Sequence, residues 1–216
     1  MTLWFASGNI HKKKELTEIL GLELKIPKDA GLEFNPIESG SSFLENAMIK
    51  ALELFRLLNS ADYFKAGDAL IADDSGLCVD ALNGRPGIYS SRYSGPPGSP
   101  FNEPLSDADR NALLLDEMSG RQNRSARFIC AMILLFSSDN FYIVQESCEG
   151  RIVKNAEEIR GSGGFGYDPV FQIPELNTTA AELSEKEKNR ISHRGKAGKR
   201  IAAILGNRDQ GTGARD

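Results

Sequence analysis

The chain has 216 residues and a formal net charge of −4, with 40% hydrophobic and 26% charged residues. This composition is ordinary for a globular enzyme of one domain or two joined lobes, and the negative charge argues against a nucleic-acid groove. No apolar run is long enough to span a bilayer. Three scattered cysteines without C-x-x-C spacing and the lack of a signal-peptide pattern predict a cytoplasmic protein with free thiols.

The N-terminal segment combines a strand, a turn and a helix. Thr2 to Ala6 predict a buried strand, Ser7-Gly8-Asn9 a turn, and His11 to Leu20 a helix closed by Gly21. Asn9 is a natural N-cap. This order of elements directs backbone N–H groups at whatever lies above the turn, so it suits an anion such as phosphate.

Lys12 lies in the first turn of that helix, where it could meet the same anion. The alternative is that residues 12–14, all lysines, form a solvated basic face. The segment is not a Walker A loop, because the G-K-[ST] ending is missing. Leu22 to Ile26 predict a second strand.

Phe43 to Leu58 form the strongest helical pattern of the chain, with a wide apolar face. Ser42 and Glu45 match a capping box, which explains Glu45 without a ligand. If a metal lay above the helix start, Glu45 in the first turn could reach it. Helical spacing places Asn46, Lys50 and Glu53 on the opposite, polar face.

The central stretch, Ala72-Asp73-Asp74-Ser75-Gly76-Leu77, places two adjacent carboxylates after an apolar run. In an extended segment Asp73 and Asp74 point to opposite faces, unless a turn breaks the pleat. Ser75-Gly76 is a plausible turn. Acidic residues at a strand end commonly hold Mg²⁺, and the alternative is an Asx-turn that ends the strand.

The middle of the chain predicts a helix and a hairpin. After an ordered loop, Pro96 to Pro104 predict a surface loop rich in Pro and Gly. Asp107 to Met118 predict a helix that starts near Ser106. Arg127 to Phe136 and Phe141 to Glu149 predict two long strands of one hairpin.

A glycine-rich stretch with interleaved aromatic residues runs from Gly161 to Pro169. Glycines let the backbone approach a ligand closely. Phe165 and Tyr167 could stack on a flat ring, and Asp168 could accept hydrogen bonds from ring N–H groups. A flexible linker is the alternative, although linkers usually lack aromatic residues.

The C-terminal segment predicts two helices, Ala180 to Asn189 and Lys196 to Leu205, with a break at residues 192–195. His193 and Arg194 are adjacent donors at the start of the second helix, and the alternative for them is an ordinary surface pair. Residues 206–216 predict a polar tail that frays.

These motifs, in this order, resemble the inosine triphosphate pyrophosphatase family, and its bacterial members in particular. The resemblance covers nearly the whole chain, and only the Pro-rich loop departs from the family pattern. It rests on Ser7-Gly8-Asn9-Ile10-His11-Lys12, Ser42-Phe43-Leu44-Glu45-Asn46-Ala47 with Lys50-Ala51, Ala72-Asp73-Asp74-Ser75-Gly76-Leu77, Pro86 to Gly95, Gly163 to Pro169, and Ser192-His193-Arg194-Gly195.

The resemblance implies an elongated α/β fold of two lobes around a long mixed sheet with flanking helices, with residues 1–205 as one catalytic domain and the nucleotide in the cleft. It implies a homodimer that needs Mg²⁺ and hydrolyses ITP, dITP or XTP to the monophosphate and pyrophosphate. By the same resemblance Asp74 is the proton acceptor and, with Glu45, a metal ligand. Ser7, Gly8, Asn9, Lys12, Lys50 and Ser75 would hold the polyphosphate, and Phe165, Gly166, Tyr167, Asp168, Lys188, His193 and Arg194 the base.

Two alternatives stay open at this point. One is a pyrophosphatase for modified pyrimidine nucleotides on the related Maf-type fold. The other is a nucleotide-sensing module without catalysis, against which the presence of both Asp74 and Glu45 speaks, because a sensor needs no base.

Overall fold

The computed structural model describes residues 1–96 and 105–211, the side chains of 208–211 excepted. Its strands are β1 (Leu3–Phe5), β2 (Ala69–Val79), β3 (Ser125–Ser137), β4 (Asn140–Ile152), β5 (Phe171–Ile173) and β6 (Thr178–Thr179). Its α-helices are α1 (Ile10–Leu20), α2 (Phe43–Ser60), α3 (Asp107–Glu117), α4 (Glu185–Ile191) and α5 (His193–Gly211).

The six strands form one sheet in the order β1-β2-β3-β4-β5-β6. β1 pairs with β2 in parallel, whereas β5 pairs with β4 and β6 in antiparallel fashion. The sheet is therefore mixed, and the predicted α/β class with flanking helices is confirmed.

The chain divides into two compact units, and the division falls within β2, β3 and β4. Unit 1 comprises residues 1–74, 130–146 and 194–216, and unit 2 comprises residues 75–129 and 147–193.

Unit 1 is a sheet covered by helices on both faces. Successive residues of a strand point to opposite faces, so alternate side chains of β1, β2 and β3 enter two separate apolar clusters. Leu3, Ile71 and Met132 share one cluster with side chains of α1 and α5. Trp4 and Leu70 share the other with side chains of α2. Each face of β2 therefore meets a different set of helices.

β2 runs without interruption through Ser75 and Gly76 to Val79, so the predicted turn is wrong. The preference of Ser75 and Gly76 for a turn is outweighed here, because the strand continues within the sheet. The pleat therefore continues through the two carboxylates. Asp73 follows Ile71 on the face of α1 and α5, and Asp74 follows Leu70 and Ala72 on the face of α2.

The first helix begins one residue before its predicted start and ends at Leu20 as predicted. Asn9 caps α1, and Gly21 ends it in the left-handed conformation, with φ of +63°. The strand predicted over residues 22–26 is wrong, because only Lys25 reaches the sheet. It forms a single bridge to β1, with N···O distances of 2.7 and 2.9 Å to Phe5 and Leu3.

Unit 2 has its own apolar core, to which α3, β5 and the glycine-rich stretch contribute Leu114, Phe171 and Tyr167. α3 begins at Asp107 as predicted, and Ser106 caps it. α5 is longer than predicted, because it includes His193 and continues past Gly206 to Gly211. Of the predicted surface loop, residues 97–104 lie outside the described part. Within residues 1–96 and 105–211, no helix has both the length and the apolar character of a membrane span.

Candidate active site

Asp74 lies in a buried polar contact with α2. The Nζ of Lys50 is 2.8 Å from Oδ1 of Asp74, and Nδ2 of Asn46 is 3.4 Å from Oδ2. Lys50 also reaches Glu38 at 3.1 Å. Asn46 and Lys50 are 0% and 7% exposed and belong to the buried face of α2, so their predicted place on a polar face opposite the apolar one is wrong. They share one face of α2 because four residues separate them.

This environment perturbs the acid–base properties of both partners. Burial raises the pKa of Asp74 above its ordinary value, although the positive charge of Lys50 opposes the rise. Burial alone would lower the pKa of Lys50, but Asp73 and Asp74 outweigh that effect and raise it. A carboxylate with a raised pKa is a stronger proton acceptor, which suits a general base.

Asp73 occupies the opposite face of β2 and is the centre of an ion cluster. Its carboxylate is 3.1 Å from Nζ of Lys12 and 3.3 Å from Nη2 of Arg194. Arg194 also pairs with Glu15 of α1, at 2.6 Å. The Sγ of Cys130, which is fully buried, lies 3.9 Å from Oδ2 of Asp73. We call Asp73, Lys12, Arg194 and Glu15 the charge cluster.

The charge cluster keeps Asp73 ionised. Burial would raise the pKa of this carboxyl, but Lys12, Arg194 and Lys50 together hold it well below its ordinary value. Arg194 is only 3% exposed, and although burial opposes its charge, Asp73 and Glu15 raise its pKa. A carboxylate held in this way is a weak base, so the two adjacent aspartates have different chemical properties.

Glu45 is exposed and lies at the start of α2, next to Asn46. Its Oε2 accepts hydrogen bonds from the backbone N–H and Oγ of Ser41, at 2.6 and 2.8 Å. Ser42 Oγ accepts from the Glu45 N–H at 3.2 Å, so half of the predicted capping box is present. The hydrogen bonds from Ser41 lower the pKa of Glu45, which keeps it negatively charged.

The carboxylates of Asp74 and Glu45 suit a hard divalent cation. In the described residues no three Asp, Glu, His or Cys side chains converge on a single point. Mg²⁺ does not require such a set, since it usually takes one or two carboxylates and completes its shell with waters and substrate phosphates. The donor chemistry therefore fits Mg²⁺ bound together with a phosphate-containing substrate.

The turn before α1 uses part of its hydrogen-bonding capacity internally. Oδ1 of Asn9 accepts from the N–H groups of His11 and Lys12, at 2.9 and 3.2 Å, so these two amides already have a partner. Ser7 Oγ accepts from the Asn9 N–H at 3.1 Å. The space beside Gly8 is open, because a Cβ built there would meet no atom within 4 Å.

Unit 2 brings together several residues predicted to bind the base. Oδ2 of Asp168 accepts from the Phe165 N–H at 2.8 Å and from Nζ of Lys188 at 2.7 Å. The same Nζ lies 4.9 Å from the ring centre of Phe165. Gly164, with φ of +70°, is required here, because a Cβ would come within 2.0 Å of Oδ2 of Asp168. The stretch is therefore tightly ordered, and the linker alternative is wrong.

His193 borders the same region. Its ring stacks on Phe128, with centroids 4.9 Å apart and planes at 10°, and it lines a small cavity with Asp168 and Lys188. Tyr167 is buried in the core of unit 2, and its hydroxyl donates to the Ser90 carbonyl at 3.1 Å. Its ring therefore supports the stretch from within.

Two further predicted site residues lie outside the contacts of the glycine-rich stretch. Ser75 follows Asp74 in β2 and is half-buried. Arg194, grouped with the base-binding residues by its motif, belongs to unit 1 and is a member of the charge cluster. His193 and Arg194 are both buried, so the alternative of a surface pair is wrong.

Sequence reasoning missed three residues with a place in these contacts: Glu15, Glu38 and Asn46 as the partner of Asp74. A signal existed for two of them, because Glu15 lies one helical turn after Lys12, and Asn46 lies one turn before Lys50. Glu38 lies in an irregular segment without periodicity, so no local pattern indicates its contact with Lys50.

Comparisons with known proteins support the family resemblance of the sequence motifs. The Ham1 family matches residues 3–204. A dITP/XTP pyrophosphatase of Treponema denticola is 48% identical over 91% of this chain and 94% of its own length, and one of Thioalkalivibrio sulfidiphilus is 46% identical over the same shares. The structure of the Staphylococcus aureus Ham1 protein has a TM-score of 0.80 and 33% identity, covering 96% of this chain and all of its own.

Proposed function

Because this chain belongs to the Ham1 family, we propose that it hydrolyses the non-standard purine nucleoside triphosphates ITP, dITP and XTP to the monophosphate and pyrophosphate. Relatives that match over nine tenths of the chain are dITP/XTP pyrophosphatases. The reaction breaks the α-β phosphoanhydride bond and would remove these nucleotides from the cellular pool.

One observation in the structure carries this proposal: a buried carboxylate, Asp74, whose Oδ1 lies 2.8 Å from the ammonium group of Lys50. Attack of water on the α-phosphorus requires a base for the water proton and positive charge for the phosphoryl oxygens. Asp74 would orient and deprotonate the water. Lys50 and Lys12 would offset the negative charge that develops on the phosphates.

The remaining polyphosphate contacts are assigned to residues of the first turn and of β2. Polar side chains and open backbone at these positions suit phosphate oxygens. Ser7 can donate its hydroxyl proton while its oxygen accepts from Asn9, and Gly8 leaves room for the ligand. The proposed phosphate-binding set is Ser7, Gly8, Asn9, Lys12, Lys50 and Ser75.

Asp74 and Glu45 would hold Mg²⁺. When bound, the ion supplies Lewis-acid stabilisation of phosphoryl oxygens, and both carboxylates are of the oxygen-donor type that it prefers. This assignment gives Glu45 a second role beside its contacts with Ser41.

The base would be bound by the glycine-rich stretch and the start of α5. Hypoxanthine and xanthine carry an oxygen at position 6, whereas adenine carries an amino group there. Arg194 can only donate, so facing it adenine would present a second donor and leave both groups unpaired. The proposed base-binding set is Phe165, Gly166, Tyr167, Asp168, Lys188, His193 and Arg194.

A substrate screen with pyrophosphate detection tests the proposed function. With Mg²⁺ we expect turnover of ITP, dITP and XTP well above that of ATP and GTP. The same screen includes modified pyrimidine triphosphates, whose preferential turnover would favour the Maf-type alternative. Binding of ITP without release of pyrophosphate would favour the sensing module.

From the resemblance we also infer a homodimer. Light scattering coupled to size-exclusion chromatography should give twice the chain mass of 23.6 kDa. A monomer at micromolar concentration would contradict this inference.

Glu45→Gln separates the capping role of this residue from a metal-binding role. Gln can also accept from Ser41, so the helix start should persist and the melting temperature should change little. Loss of the negative charge should raise the Mg²⁺ concentration required for half-maximal turnover of ITP. The matched control is Glu53→Gln, in the same helix and paired with Arg56 on the surface. A Mg²⁺ titration that overlays the parent's would leave Glu45 with the cap alone.

A further inference from the structure

α3 contacts the glycine-rich stretch through both backbone groups of a single glycine. The N–H of Gly166 donates to Oδ2 of Asp107 at 2.7 Å, and the carbonyl of Gly166 accepts from Nδ2 of Asn111 at 3.0 Å. Asp107 and Asn111 are separated by one helical turn, so they project from the same face of α3. Gly166 adopts the left-handed conformation, with φ of +64°.

These two contacts fix the residue between the aromatic and acidic members of the base-binding set. Phe165 precedes Gly166, and Asp168 follows it by two positions. The other Asp107 oxygen pairs with Arg110, so its carboxylate is itself held in place. Asn111 is only 5% exposed, which leaves its amide little freedom to turn away.

Asn111 is an unfavourable residue for packing alone. Its Oδ1 is buried without a hydrogen-bond partner among the described residues, and a buried, unpaired acceptor costs stability. An apolar side chain of similar size would avoid that cost. The gain from asparagine at this position is the hydrogen bond to the Gly166 carbonyl.

We propose that Asp107 and Asn111 are positioning residues that set base selectivity, by holding Gly166 so that Phe165 and Asp168 meet the purine in the correct geometry. This inference rests on the proposed function, because it assigns the stretch to base binding. Neither side chain needs to touch the nucleotide. Small displacements of binding groups are costly, since a shift of about 1 Å can cost about a hundredfold in rate.

The test compares Asn111→Leu and Asp107→Ala with the parent enzyme, using kcat and KM for ITP and for ATP. We expect kcat/KM for ITP to fall about tenfold or more, mainly because KM rises. The ITP-to-ATP ratio, which is kcat/KM for ITP divided by kcat/KM for ATP, should decrease. Asn111→Leu should change the melting temperature little, because removal of the unpaired acceptor offsets the lost hydrogen bond to the Gly166 carbonyl. Asp107→Asn, whose Oδ1 can still accept from Gly166, should restore most of the ratio.

The matched control is Asp109→Ala, which removes a carboxylate from the same first turn of α3. The Asp109 carboxylate instead accepts from Oγ of Ser106, at 2.6 Å, and the Asp109 N–H donates to the same hydroxyl. If the ITP-to-ATP ratio decreases in this control as much as in Asp107→Ala, the effect is a general one on α3, and the inference is overturned.

The remaining outcomes separate this inference from the proposed function. A parent enzyme that cleaves ITP, with variants that keep its ITP-to-ATP ratio, overturns the positioning role alone. A parent that neither binds nor cleaves purine triphosphates overturns both. A lower melting temperature with an unchanged ratio assigns Asp107 and Asn111 to folding and also overturns the positioning role.

Discussion

Replacing Asp74 by asparagine is expected to lower pyrophosphate release from ITP by a factor of about 10²–10⁴, the range typical of a lost general base. Asparagine keeps the size of the side chain and can accept from Lys50, but it cannot take the proton of water. Lys50 also keeps its contact with Glu38 at 3.1 Å, so no buried ammonium is left without a carboxylate. The loss should therefore be catalytic.

Initial rates at saturating ITP and Mg²⁺, together with a thermal melt, check this expectation. Because burial raises the pKa of Asp74, ionisation of this carboxyl reduces the stability of the folded state, so a neutral residue of the same size should not lower the melting temperature. Asp29→Asn is the matched control, since Asp29 pairs with Lys13 on the surface of the same unit. Near-parental turnover by the Asp74 variant would remove this residue from the mechanism.

Arg194→Met is expected to lower the free energy of unfolding by about 3–5 kcal/mol, because it leaves buried carboxylate charge with too little compensation. Asp73 is 1% exposed and would lose the guanidinium at 3.3 Å while keeping Lys12 at 3.1 Å, and Glu15 would lose its contact at 2.6 Å. Urea denaturation followed by circular dichroism measures the change.

Arg200→Met is the matched control on the same helix. Arg200 pairs with Glu146, but its side chain is 69% exposed, and exposed pairs contribute only about 0–1 kcal/mol. Arg194→Lys keeps the charge and separates stability from base recognition, because lysine lacks the planar fork of arginine. Equal stability of the Met and parent proteins would show that the charge cluster does not support the fold.

The order of helices and strands followed largely from local pattern. Ser42 and Ser106 mark the starts of α2 and α3 because a hydroxyl accepts from the first free N–H groups of a helix. The turn predicted at Ser75-Gly76 was wrong because the conformation there does not follow from local pattern. Turn preference is a local quantity, whereas strand continuation depends on distant partners in the sheet.

The two environments of the paired aspartates show where pattern reasoning ends. Alternation along a strand predicts that Asp73 and Asp74 face apart if the strand continues, but it does not say what they meet. Arg194 lies 121 positions from Asp73 in the chain, so no short-range signal links them. Periodicity placed Lys50 on the wrong face of α2, because an amphipathic pattern assigns the buried face from apolar residues and does not show that a lysine shares it.

The residues of the base-binding set stay predictions, and the structure adds physical content to them. Asp168, Lys188 and His193 line one small cavity although the chain separates them, and a family motif was the only guide to that grouping. No sequence pattern predicted the contacts of α3 with Gly166. Asp107 and Asn111 bind the backbone N–H and carbonyl of this glycine, and an Asp or Asn in a helix can serve many other roles.

Alkylation of Cys130 can report how often the structure around the charge cluster opens. Burial raises the pKa of this thiol to about 12, with Asp73 adding to the rise and Arg194 and Lys12 opposing it. Alkylating reagents attack the thiolate, so at neutral pH they reach Cys130 only when α1 or α5 separates from the sheet. In a variant that keeps Cys130 as its single cysteine, the rate of alkylation measures how often these helices separate from the sheet. A phosphate ligand that binds Lys12 should change this rate.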